Sequence, residues 1–276
     1  MSRIPRINEK DAQRAREAAS RVAETHFALA KFLRAGLTLA QIDAEVARVL
    51  SSLDCKSCFL GYRAGGLPPF TSHACLSVND CIVHGTAAMS TEPLKSGDVI
   101  SIDIGVTHKG WIGDAAWTYA IDAYPDEQTE RLMDAGKESL RRGIETIAPG
   151  KPFMDWATAV QAVVEREYGF HCVRGLGGHG YGRNLHEPPY ISNVPPTYPG
   201  EWPEAFGRWE PGYLVALEPM LAIGTGRTKQ DRKRWPIFSA DGSMSVHYEA
   251  DVLVTEEGHE NLTAAMWDLP DIVGDA

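Results

Sequence analysis

The sequence predicts an α+β fold of two α/β halves related by a pseudo-two-fold axis, and two observations predict it. The first is a repeated pair of amphipathic helices. Ala35-Gly36 aligns with Pro149-Gly150 at an offset of 114, and Ile42, Val46, Val49 and Leu50 then fall on Trp156, Val160, Val163 and Val164. The second is that β-branched, alternating segments follow each helical unit. Such a duplication would leave a site between the halves. No composition break divides the 276 residues, so the whole chain, 1–276, is expected to form a single domain.

The elements follow in order. Residues 9–34 read as a helix with Ala15, Ala18, Ala19, Val22, Leu29 and Leu33 near one face, and Gly36 as its stop. Thr38-Leu-Ala-Gln41 is a capping box that starts a second helix with the stripe Leu39, Ile42, Val46, Val49, Leu50 and Leu53. A third helix carries Leu132, Leu140, Ile144 and Ile147 and ends at Pro149-Gly150; a fourth carries Trp156, Val160, Val163 and Val164. Strands are expected at Cys75 to Val78, Val99 to Val106, Trp111 to Tyr119, Tyr213 to Ile223 and Val246 to Val254. Gly61 to Ser72 is irregular, and the proline-rich stretch from Pro188 to Gly212 reads as a long surface loop.

Composition excludes several functions. Hydrophobic residues make up 43 % of the chain, enough for a packed core. The net charge of −10 disfavours nucleic acid as a main partner, because phosphate binding needs clustered cations. The basic run Arg227, Lys229, Arg232, Lys233 and Arg234 reads as a solvated loop. Five cysteines, an odd and low number, suit a reducing compartment such as the cytoplasm rather than a disulfide framework. Cys55-Lys-Ser-Cys58 lacks the second pair that a zinc site would need. The first ten residues contain no apolar h-region, and no run of about 18 apolar residues could span a membrane.

Five residues stand in local settings that could feed one metal site: Asp103 in GDVISIDIGV, Asp114 in WIGDAAW, His179 in GLGGHGYG, Glu218 in LVALEPM and Glu249 in VHYEADVLV; two turn-flanking acids and a structural histidine are the alternative. Three of the acids stand among apolar residues, where an isolated carboxylate is costly and needs a cation or a hydrogen-bonding network. No Lys or Arg recurs beside them. Four carboxylates carry about −4, which two divalent ions would neutralise. With Thr107 to Gly110 as the turn, a symmetric hairpin would set Asp103 and Asp114 face to face, with Cβ atoms roughly 4.5–5.5 Å apart. Gly175-Leu-Gly177-Gly-His-Gly180 matches a dinucleotide-binding pattern, but Pro188-Pro189 follows instead of a helix. Its glycines would instead let the backbone approach a ligand and leave the His179 ring uncovered. His84, after an apolar run and before Gly85, is a second such imidazole, and His186 a third.

Taken together, VNDCIVHG, SIDIG, GWIGDAAW, GHGYGRNLHEPP, ALEPM and YEADVLVT resemble the successive motifs of type I methionyl aminopeptidases in order and spacing. The resemblance runs from the first helix to about residue 260. It implies the pita-bread fold shared with prolidases and creatinase-like proteins. The 31 residues between Glu218 and Glu249 leave no room for the helical insertion of the type II branch, and the chain resembles the short bacterial form.

By resemblance, Asp103, Asp114, His179, Glu218 and Glu249 ligate two metal ions. Asp114 and Glu249 bridge, Asp103 holds one ion, and His179 with Glu218 holds the other. One imidazole and four carboxylates suit Mn, Fe(II), Co or Zn, and the native metal does not follow. The implied reaction removes an N-terminal methionine: the metals activate a water, Glu218 moves its proton, His186 donates to the carbonyl oxygen, and His84 sits near the scissile nitrogen. Tyr62, Phe70, Cys75, Leu185 and Trp235 would line the slot for the thioether. The partner would be a peptide or nascent-chain N-terminus, with ribosome association an open option, no membrane, no specific nucleic acid and a monomeric protein. An Xaa-Pro peptidase of the same fold, or a non-catalytic binding module on it, are the alternatives. The chain departs from the family pattern in an extended loop 63–72, in Leu185 where Phe is common, and in an extended loop 188–212.

Overall fold

The computed structural model describes residues 4–274. Residues 1–3, part of the N-terminal stretch read for an h-region, lie outside the described residues. Helix α1 spans Glu9–Ala30 and starts where the Asn8 side chain accepts the Asp11 N–H at 3.0 Å. It ends at Ala30, where the sequence predicts a helix to residue 34. The chain then turns toward Gly36, while Leu33 stays buried on the same apolar face. Helix α2, Leu39–Ser52, carries the expected capping box, with Thr38 and Gln41 satisfying each other's backbone N–H groups. Helix α3 spans Glu127–Ile144 and α4 spans Phe153–Gln161, continued by a π-helical turn over Ala162–Glu167.

The internal repeat holds at the residue level. Helix α1 ends at Ala30 and α3 at Ile144; α2 starts at Leu39 and α4 at Phe153. Both spacings equal the offset read from the sequence. In each half a glycine with positive φ separates the two helices, Gly36 at 86° and Gly150 at 81°.

In the first half, Val99–His108 and Trp111–Ile121 form the central hairpin, flanked by Cys75–Val78, Lys56–Ser57 and Ile272–Val273. Helix α1 packs across this hairpin. In the second half, His259–Asn261, Ala250–Val254, Leu214–Leu217, Gly177–Gly180 and Glu187–Ser192 form another five-stranded sheet. The sheets meet where the Glu249 N–H donates to the Ala116 carbonyl at 2.9 Å. The main apolar cluster runs from Ala12 to Val273 and includes residues of both halves, and a smaller one gathers Ile82, Val83, Val173, Met220 and Ile237.

Three expectations need correction. The hairpin turn is Lys109-Gly110 alone, both residues at positive φ (50° and 79°), as a two-residue hairpin loop requires. His108 therefore pairs with Trp111, Asp103 with Ala116 and Asp114 with Gly105. Asp103 and Asp114 are diagonal neighbours on one face of the hairpin, not opposed partners. The predicted strands Tyr213–Ile223 and Val246–Val254 are each broken, into Leu214–Leu217 and Met220–Ala222, and into Ser245–His247 and Ala250–Val254. Pro219 has no N–H for a ladder, and at this point both strands leave one sheet for another. The stretch 188–212 is not simply a surface loop. It opens on Glu187–Ser192 in the sheet, and Trp202 and Trp209 are buried, Trp209 against the Phe153 ring at 4.4 Å. The basic run lies on the exposed strand and turn of a hairpin, Thr228–Gln230 with Ile237–Ser239, whose second strand is largely buried.

Candidate metal centre

Each acid owes its position to one of these features. Asp103 and Asp114 come from the same face of the first-half hairpin. Glu218 and Glu249 sit at the two breaks where neighbouring strands change sheets together. His179 lies on Gly177–Gly180, between Glu187–Ser192 and Leu214–Leu217. Its glycines serve sheet packing rather than ligand approach. A Cβ on Gly178 would stand 2.4 Å from the Ala216 carbonyl oxygen, and one on Gly180 would stand 2.2 Å from the Pro188 oxygen. Only a strand without side chains there can lie this close to both neighbours.

The hairpin and the broken strands bring their polar groups together. One ligand atom each of Asp114, His179 and Glu249 lie within 4.8 Å of one another, as do those of Glu218, His247 and Glu249. His179 Nδ1 stands 3.0 Å from the Gly180 carbonyl, which fixes N–H on Nδ1 and leaves the Nε2 lone pair facing the acids. That Nε2 is 3.7 Å from Asp114 and 3.9 Å from Glu218. Asp103 lines the same cavity but belongs to neither compact group.

Burial, and then mutual repulsion, holds the carboxyls of Asp114 and Glu249 well above the usual range; burial does the same for Glu218 and Asp103. Burial lowers His179 to about 3 and His84 to about 4, so both rings are neutral. Among the described residues no Lys or Arg pairs with any of these acids. Asp103 Oδ1 and Asp114 Oδ1 are buried without a hydrogen-bond partner. Orphaned carboxylate oxygens around neutral imidazoles, with no organic cation, are the donor set that divalent ions fit.

The acids form one wall of a cavity of about 340 Å³. Tyr62, Phe70, Cys75, Leu185 and Trp235 all line it, as do His84 and His186. The Trp235 indole N–H donates to the Pro68 carbonyl at 2.7 Å, which fastens the irregular loop over the cavity. Tyr62 Oη lies 2.6 Å from His186 Nδ1, and the His186 ring centroid is 4.3 Å from that of His179. His84 has φ of 59°, uncommon for a residue with a Cβ, and its ring meets Trp235 edge-on at 5.9 Å. A second, wider groove of about 510 Å³ shares His84, Asp103, His179, His186 and Glu218 with the first and leads away past Gly175, Pro188 and Glu204.

Two residues at the centre escaped the sequence reading. His247 is 2 % exposed, with Nε2 3.2 Å from Glu218. Asp251 is fully buried and accepts the Asp114 backbone N–H at 3.0 Å. The available signal was alternation: His247, Glu249 and Asp251 are spaced by two.

A pita-bread core with acids and an imidazole converging on an apolar slot defines a metallopeptidase by class. The chain belongs to metallopeptidase family M24, whose pattern matches residues 9–256. It is 35 % identical over 248 residues to methionine aminopeptidase 1 of Bacillus subtilis (strain 168), covering 90 % of this chain and 94 % of that one. A crystal structure of methionine aminopeptidase from Thermotoga maritima superposes with a TM-score of 0.85 at 31 % identity, over 95 % of this chain and 99 % of that one. An X-Pro aminopeptidase structure from the same organism shares the fold at a TM-score of 0.72 and 19 % identity, over 98 % of this chain and 63 % of that one.

Proposed function

We infer that this protein is an aminopeptidase that removes the N-terminal methionine of peptides and nascent chains. The observation that carries the reading is the 340 Å³ apolar cavity closed at one wall by Asp103, Asp114, His179, Glu218 and Glu249. Those five residues would hold two divalent ions, of Co, Mn, Fe(II) or Zn. When bound, the ions supply an activated water and charge stabilisation for the oxyanion.

The chain's own groups do the rest. Phe70, Leu185, Cys75 and Trp235 pack the thioether, for which apolar contact is worth about 25 cal/mol per Å². Glu218, its carboxyl raised by burial, takes up the proton released by the attacking water. His186, with Tyr62 on its Nδ1, presents Nε2 to the scissile carbonyl oxygen, and His84 stands near the scissile nitrogen. The wider groove would receive the residues after the methionine. Cleavage stops at one residue because the α-amine must lie against the acids, where a longer N-terminus does not fit. We place the protein in the cytoplasm, where its five free thiols would stay reduced, and take residues 1–276 as one monomeric catalytic domain. No described helix is long and apolar enough to cross a membrane.

The test is hydrolysis of Met-Ala-Ser against Ala-Pro by the metal-loaded protein. Release of methionine from the first, with the second untouched, is the expected result. Preference for Ala-Pro would reverse the reading in favour of an Xaa-Pro peptidase.

A further inference from the structure

His247 is a second imidazole at the acids, outside the ligand set assigned above. Its main chain is fixed: the N–H lies 3.1 Å from the Ser101 hydroxyl and 3.2 Å from that of Thr118, and the carbonyl accepts from Thr118 at 2.8 Å. The ring is thereby aimed at the two strand breaks. Nε2 stands 3.2 Å from Glu218 Oε2 and 4.0 Å from Glu249 Oε2. Yet Nε2 is buried without a hydrogen-bond partner. At this separation from Glu218 the failure is one of direction, since the nitrogen points past the oxygen rather than at it.

A buried polar nitrogen left like this is costly. The cost disappears if the space it faces holds an ion. Two donors on one ion at roughly 2.0–2.2 Å stand about 3.0–3.5 Å apart, the separation of His247 from Glu218. Glu218 is then gripped from both sides, by His179 toward Oε1 and by His247 toward Oε2.

We propose that His247 is a metal ligand, its Nε2 joining Glu218 and Glu249 on a shared ion, so that the centre holds two imidazoles. This rests on the reading of the acids as a two-ion site. A second nitrogen donor shifts the centre toward Co, Fe(II) or Zn and away from Mg.

The experiment uses the full chain loaded with Co(II). X-ray absorption at the cobalt edge counts imidazoles, and equilibrium dialysis at fixed free Co(II) gives the affinity of each equivalent. Native protein should show two imidazoles over its bound cobalt. His247→Ala should lose one of them and weaken one cobalt equivalent by roughly tenfold or more, the scale of even an outer-shell loss. His247→Gln is the second variant, because it keeps a polar side chain of similar length in the space but ligates poorly; it should behave like His247→Ala. Circular dichroism of the metal-free variants checks the fold, and if the alanine variant unfolds, the glutamine variant decides. An unchanged imidazole count in His247→Gln, whatever its affinity, would overturn the proposal and leave His247 as a support outside the ligand set. Native protein that binds no cobalt would instead overturn the two-ion reading itself.

Discussion

Leu185 and His186 are adjacent in sequence and both line the cavity. Leu185 is 6 % exposed and lines the cavity where relatives by resemblance carry a ring. Leu185→Phe should fill volume and raise selectivity for methionine over ethionine. One methylene is worth about 1–3 kcal/mol in such discrimination, so a comparison of kcat/KM for N-terminal Met, Leu and ethionine will resolve it. Unchanged ratios would remove Leu185 from the pocket. His186→Ala should lower kcat about 10²–10³-fold with metal content intact, as loss of an oxyanion donor does. Tyr62→Phe removes only the partner of Nδ1 and should cost about tenfold, the scale of one hydrogen bond. A larger loss in Tyr62→Phe than in His186→Ala would contradict that order. The acids were legible in the sequence because charge among apolar residues demands a counter-charge. His247 was not, because a lone histidine carries no such demand until Glu218 is folded against it.

At the scale of elements, the strand Gly177–Gly180 shows what the glycines around His179 are for. Gly178→Ala would drive a Cβ to 2.4 Å from the Ala216 carbonyl, a backbone atom that cannot swing away. The expected loss is about 1–3 kcal/mol in stability, read by urea unfolding of the metal-free protein. Wild-type stability would show that the sheet yields. Trp209→Ala should cost about 3–5 kcal/mol by leaving a cavity beside Phe153. The start of the second helix was legible because the capping box at Thr38 is a local signal, whereas the first helix ends at Ala30, short of the apolar stripe that runs on to Leu33. The hairpin register was read two residues off, with Asp103 opposite Ala116 rather than Asp114, because the tight Lys109-Gly110 turn leaves Thr107 and His108 in the first strand. The breaks at Glu218 and Glu249 were invisible in the apolar pattern, which continues unbroken while the chain changes sheets.

Across the whole molecule, the buried acids govern how stability responds to pH. In metal-free protein their pKa values are raised by burial, so the native state holds more protons than the unfolded chain, and stability falls as pH rises. The buried neutral histidines His26, His84, His179 and His247 act in the opposite sense. Their lowered pKa values cost stability as pH falls below the unfolded value of about 6.5. Above that pH the histidine effect is spent. Chelated protein should therefore lose Tm between about pH 6.5 and 8.5, while Mn-loaded protein, whose ligands are already ionised, should lose far less. Equal Tm profiles with and without metal would contradict this. The repeat of helix pairs was readable because both copies kept their spacing, whereas the meeting of the halves at Glu249 and Ala116 depends on contacts no local pattern encodes. The central claim is that acids from both halves act only through bound divalent ions. Its most direct measurement is methionine release from Met-Ala-Ser as metal-free protein is titrated with Mn(II) or Co(II). The expected result is no release without metal and recovery complete at no more than two equivalents per chain; full turnover by the metal-free protein would contradict it.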